Sequence, residues 1–151
     1  MHKQLPCICG VAEELWEEVV LLCSEEIGDV AMHMETVPVV DAVTGFPDVL
    51  RDGEEICVWL SEAMTMSLPP QNTPLLVLVN LPEAGEIPCL HEIAEIRGTQ
   101  VITTFGEVLE IPPAAEFFPY RTRQIVTAAD LQPGTRMLVW GEMERIMVFL
   151  E

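Results

Sequence analysis

Short apolar runs and stretches with a helical period follow one another along the first two thirds of the chain. Residues 5–9 form an apolar run closed by Gly10. From residue 12 to 27 the apolar positions recur at three- and four-residue spacing. On a wheel of about 100° per residue, Leu15, Trp16, Val19, Val20, Leu22, Cys23 and Ile27 share one arc, with Glu14, Glu17, Glu18 and Glu25 opposite, which predicts an amphipathic helix. Gly28 is placed to end it, and residues 30–34 read as a second strand.

Pro38 suits the start of a short helix that Gly45 and Pro47 interrupt. Residues 56–60 are a third strand, and residues 75–79, apolar throughout, read as a fourth, covered on both faces at the sheet centre. Residues 61–67 allow one or two helical turns before Pro69. Pro88 fits the first position of another helix, with Ile93 and Ile96 as its stripe and Gly98 as its stop, leading to a strand over 100–104. This alternation predicts an α/β fold over residues 1–111, a mainly parallel sheet flanked by helices in the Rossmann-like or flavodoxin-like manner.

After Pro112 and Pro113 the pattern changes. Residues 124–127, 136–140 and 146–150 are strand-like and are joined by turn-rich segments, so residues 112–151 read as an antiparallel β appendix. Its size is small for a separate core, and the expectation is a single domain over 1–151. Trp140, Met143, Met147 and Phe149 give this tail more apolar surface than one hairpin hides, with Ile146, Val148 and Leu150 on the other face. That surplus predicts a homo-oligomer built through the last strands.

Composition narrows the partners. The 151 residues carry 25 acidic and 7 Lys or Arg side chains, a formal charge of −18. A nucleic-acid backbone or an anionic membrane is therefore disfavoured as a partner. Half of the residues are hydrophobic, enough for a core. No apolar run reaches the roughly 18 residues of a membrane span, and the start lacks a basic region followed by a long apolar stretch, so the expected location is cytoplasmic. The five cysteines are odd in number and lie mostly in apolar segments, which predicts reduced thiols.

Candidate chemistry is sparse. Gly10 between a strand and a helix resembles the beginning of a phosphate cradle, but the further glycines and the Lys are missing, and Glu13 and Glu14 would repel phosphate. Cys7 with Cys9 and Cys89 with His91 are close pairs of soft ligands without the usual zinc spacing, so neither a metal nor another cofactor is expected. Cys23 and Cys57 read as core residues. Cys89 near a helix start is the most reactive thiol in prospect. His33, between two methionines, reads as a hydrogen-bonded strand residue, and Arg121 and Arg123 form the one local basic group.

Ligands of open α/β sheets settle at the carboxyl ends of the strands. Here those ends offer Glu35, Ser61, Glu62, Asn80, Glu83, Thr103 and Thr104, which suits a neutral or cationic small molecule. The leading expectation is a non-catalytic ligand-sensing or accessory domain. An alternative is an acidic inhibitor or nucleic-acid mimic that seats Glu14, Glu17, Glu18 and Glu25 in a basic groove of a partner protein. A third is a small enzyme using Cys89 or paired carboxylates. No catalytic motif appears, and enzyme status leans negative.

Overall fold

The computed structural model describes residues 7–120 and 124–149. Arg121, Arg123 and Leu150 lie outside the described residues. The regular elements of those described are strands, apart from a 3-10 turn at Ala128–Asp130. The α/β expectation is thereby overturned. The chain divides into two compact units at Ala84 and Gly85, whereas the change in sequence pattern lies at residue 112.

The amino-terminal unit contains β1 (Cys7–Trp16), β2 (Val19–Ser24), β3 (Gly28–His33), β4 (Val39–Asp41), β5 (Glu55–Trp59), β6 (Gln71–Asn72) and β7 (Leu76–Val79). They form one sheet in the order β4-β7-β5-β1-β2-β3-β6. Only the β4–β7 and β3–β6 pairs are parallel; the other neighbours are antiparallel. The apolar run at 75–79 does form a strand, but β7 stands next to the edge strand β4 and not at the centre.

Residues 12–27, expected as a helix, are the end of β1, a two-residue turn at Glu17 and Glu18, all of β2 and the start of the next turn. Alternation explains why the segment is stable as a hairpin. Val20 and Leu22 of β2, Val30 and Met32 of β3, Ile56 and Val58 of β5, and Val77 and Val79 of β7 point to one side and make a common core with Ala12. Each large side chain of this kind contributes about 1.5–3 kcal/mol when fully buried. The weak helix preference of the glutamates is small beside that sum. A β-bulge between Glu14 and Trp16 also shifts the pattern by one residue, so the apolar spacing no longer has a period of two.

The same device explains the second misplaced helix. Residues 88–98 are largely β8 (Cys89–Arg97), which pairs with β9 (Gln100–Thr103) through a bulge between Ile93 and Glu95. The extra residue places Ile93 and Ile96 three apart on a strand, which imitates a helical stripe. The remaining strands of the carboxyl-terminal unit are β10 (Val108–Glu110), β11 (Glu116–Pro119), β12 (Arg136–Trp140) and β13 (Arg145–Phe149), in the order β10-β9-β8-β12-β13-β11. The expected helices at residue 38 and over 61–67 are β4 with its preceding loop and an irregular loop. The segment 124–127 is not a strand.

β12 and β13 pair in antiparallel fashion, and β11 lies parallel to β13 on its other side. Ile146, Met147 and Val148 are all fully buried. Phe118 packs against Trp140 with centroids 5.6 Å apart, and the Arg145 guanidinium lies 4.9 Å from the Phe118 ring centroid. The middle of β13 is thus covered on both faces, while Trp140 and Phe149 remain half-buried. Among the described residues, no helix is long and apolar enough to cross a membrane.

Candidate functional site

In the amino-terminal unit, the sheet face opposite the shared core carries an open groove of about 530 Å³. Strand alternation builds it. Val30 and Met32 turn inward, so Asp29, Ala31 and His33 face outward, and on β2 Val19 and Leu21 do the same. The register sets Leu21 against Ala31 and Val19 against His33. At the β1 bulge two consecutive side chains, Leu15 and Trp16, both turn to the groove.

Gln71 on β6 and Pro69 before it complete the wall. His33 Nε2 and Gln71 Oε1 are 2.7 Å apart, so the imidazole donates to the amide oxygen and its orientation is held. Trp16 remains 65% exposed, a large and mostly uncovered flat surface. Apolar side chains supply most of the wall, and its charged residue other than histidine is Asp29. Among the described residues, no Lys or Arg lines it. The loop that contributes Pro69 also exposes Met66 and Leu68 almost completely, at 97% each.

None of the residues expected at strand ends lines this groove. Glu35 and Glu62 are exposed in loops, and Glu83 is exposed near the division between the units. The Ser61 backbone N–H and hydroxyl both donate to Asn72 Oδ1, at 3.1 and 3.3 Å. Asn72 Nδ2 in turn donates to the carbonyls of Ser61 and Ala63. Asn80 donates from its backbone to Glu54 Oε2 and from its side chain to Asp41 Oδ2, at 3.2 and 2.9 Å. Thr103 is buried, and its hydroxyl accepts from the Glu107 N–H; Thr104 is exposed. Thr103 and Thr104 belong to the carboxyl-terminal unit and the other five to the amino-terminal one. Ser61, Asn80 and Thr103 thus use their polar groups within turns and loops, and the mainly antiparallel sheets do not gather the seven residues at one row of strand ends.

The acidic face changes in the same way. Glu14 lies on β1, Glu17 and Glu18 form the first hairpin turn, and Glu25 lies in the turn at the other end of β2. They do not share a helix face.

The thiol expectation also needs correction. Cys9 and Cys57 stand opposite one another in the β1–β5 ladder, with Cα atoms 4.1 Å apart, and form a disulfide. The thiol-based support for a cytoplasmic location goes with it. Cys7, two residues earlier on β1, brings its sulfur within 4.8 Å of both bridged sulfurs. Cys23 donates to Glu13 Oε2 at 3.6 Å, and burial followed by the nearby Asp29 charge pushes its thiol pKa up. Cys89 opens β8 and is not at a helix start. Burial, with Glu86 and Glu107 adding repulsion, raises its pKa too, which is contrary to an activated nucleophile. His91 is buried, which lowers its pKa against the opposing pull of Glu107.

Two features escaped the sequence. The outward row Asp29, Ala31 and His33 was visible as period-two alternation but gave no hint of Gln71, 38 residues from His33. The bridge joins residues separated by 48 positions, and only strand register brings them together. No protein-family model matches the chain, and no curated protein or solved structure matches it.

Proposed function

We propose that this protein is a non-catalytic binding domain for a small, mainly apolar and neutral or cationic molecule, held in the groove beside Trp16. The observation that carries this reading is the groove itself, whose volume falls in the range of small-molecule sites and whose walls combine apolar surface with a few fixed polar groups. Trp16 offers a face for a flat ring or an alkylammonium group. Asp29 supplies an acceptor for a cationic or donor group, while the His33–Gln71 pair gives directional polar contact. A carboxylate or phosphate ligand would meet Asp29 and a chain of formal charge −18, with no cation among the described residues of the wall.

The test is a thermal-shift panel of aromatic amines, neutral aromatic amides and matched aromatic carboxylates. Saturable stabilisation is expected from the first two classes, approaching about 2.7 kcal/mol at a hundredfold excess over Kd. Trp16→Ala should remove it without lowering the midpoint of the free protein by much, because Trp16 is largely exposed. Stabilisation by the carboxylates alone, or a response indifferent to Trp16→Ala, would reject the reading.

A further inference from the structure

A second site lies on the ladder between β1 and β5, independent of the groove. Cys7 and Cys9 are two residues apart on one strand and so share a face, and Cys57 stands directly across from Cys9. The core residues Ile56 and Val58 flank Cys57 on the opposite face. Three sulfur atoms thus converge within 4.8 Å of one another.

Convergence of this kind has two chemical uses, and the backbone separates them. A shift of the disulfide to Cys7 would need a Cys7–Cys9 or a Cys7–Cys57 bond. Along a strand, residues two apart have Cα atoms about 6.8 Å apart. Diagonal neighbours across a ladder are about 7–8 Å apart. Disulfides usually span roughly 4.4–6.8 Å, so the Cys7–Cys9 pairing falls at the limit of the range and the diagonal Cys7–Cys57 pairing beyond it, where the backbone must move. A metal ion makes no such demand. Sulfurs bound at about 2.3 Å to one ion stand roughly 4 Å apart, a spacing that side-chain rotation reaches from the observed cluster.

We propose that Cys7, Cys9 and Cys57, once a dithiol reductant opens the bridge, form a three-thiolate site for one soft d10 cation, either zinc or monovalent copper. In the opening step the Cys9–Cys57 bond breaks and the reductant's two thiols become a disulfide, their two protons passing to Cys9 and Cys57. Ligation then displaces one proton from each of the three thiols. Thiolates select these ions over magnesium or calcium, and three negative ligands match a cation in an acidic chain. Exchange with a disulfide oxidant reforms the Cys9–Cys57 bond while that oxidant is reduced to two thiols, which removes two ligands and releases the ion, so occupancy reports the redox state.

The test uses the full chain, oxidised and reduced, titrated with zinc against a chromogenic chelator and with monovalent copper against a copper-specific one. Expected is one equivalent of at least one of the two ions in the reduced protein and none in the oxidised protein. Cys7→Ser leaves the bridge intact and should weaken the reduced protein's affinity by more than about tenfold. Cys23→Ser and Cys89→Ser should leave it unchanged. The two titrations distinguish the ions, and binding of either supports the site. Failure of both ions to bind stoichiometrically overturns the proposal. So does a Cys7→Ser protein with unchanged affinity, or equal loss in Cys23→Ser or Cys89→Ser, which would indicate ligation by an unfolded chain. Groove ligands read by Trp16 are unaffected by any of these outcomes.

Discussion

Gly10 is constrained by its neighbour on the next strand and not by its own dihedral angles. A Cβ built there would strike the Cys23 carbonyl oxygen and come within 3.1 Å of Leu22 Cδ1. The carbonyl belongs to a paired ladder and cannot swing aside. Gly10→Ala should therefore destabilise the amino-terminal unit by about 1–3 kcal/mol in denaturant titration. An unchanged midpoint would show that the β1–β2 approach is looser than described. His91 gives a pH-dependent counterpart in the other unit. Burial holds its folded pKa below the ordinary 6.5, so the unfolded chain binds the proton first as pH falls. Stability is then greatest above pH 6.5 and declines as pH falls from there towards the lowered folded value. His91→Gln should flatten this part of the pH–stability curve; an identical slope in wild type and variant would remove His91 as its source.

At the scale of elements, hairpins carry the molecule, and their turns are unequal in quality. Gly28, Gly98 and Gly141 take positive φ where a hairpin reverses, at no steric expense. The β1–β2 turn instead places Glu18 at φ 61°, beside Glu17. A side chain there is strained, and adjacent carboxylates repel. Glu18→Gly should stabilise the hairpin by roughly 0.5–1 kcal/mol, read as a raised thermal midpoint. A lowered midpoint would mean that Glu18 makes a favourable contact outweighing the backbone strain. The bulges in β1 and β8 act in the opposite sense, since each adds a residue that turns side chains to new positions. In β1 that residue creates the paired Leu15 and Trp16 wall of the groove.

For the molecule as a whole, a formal charge of −18 is the dominant long-range term. Among the described residues Arg51 pairs with Asp48 at 3.2 Å, Arg97 with Glu95 at 2.9 Å and Arg136 with Glu92 at 3.3 Å, and in each pair the Arg side chain is solvent-exposed. Self-repulsion therefore outweighs local pairing, and added salt screens it over about 10 Å at 0.1 M. The thermal midpoint should rise as potassium chloride increases from 0.02 to about 0.3 M and then level off as the Debye length falls below the spacing of the carboxylates. A midpoint that falls over this range would show that the exposed ion pairs matter more than the net charge. Two sheets, each with its own buried cluster, share this charge.

Length, acidity and the places where the chain must turn follow from the residues alone. Several strands are also legible, since Leu76–Val79 and Arg136–Trp140 are apolar runs too short for helices and rich in β-branched or bulky side chains. What tertiary structure decided is the identity of the periodic segments. Ala12 to Leu22 satisfies a helical wheel and a bulged hairpin equally well, because one extra residue converts a period of two into a spacing of three. The choice falls to burial: as a hairpin, Val20 and Leu22 join a core drawn from β1, β2, β3, β5 and β7, a gain that no local propensity contains. The groove and the sulfur cluster depend on the same cause. Gln71 reaches His33, and Cys57 reaches Cys9, only through the register of strands distant in sequence, which is set by how the whole sheet packs.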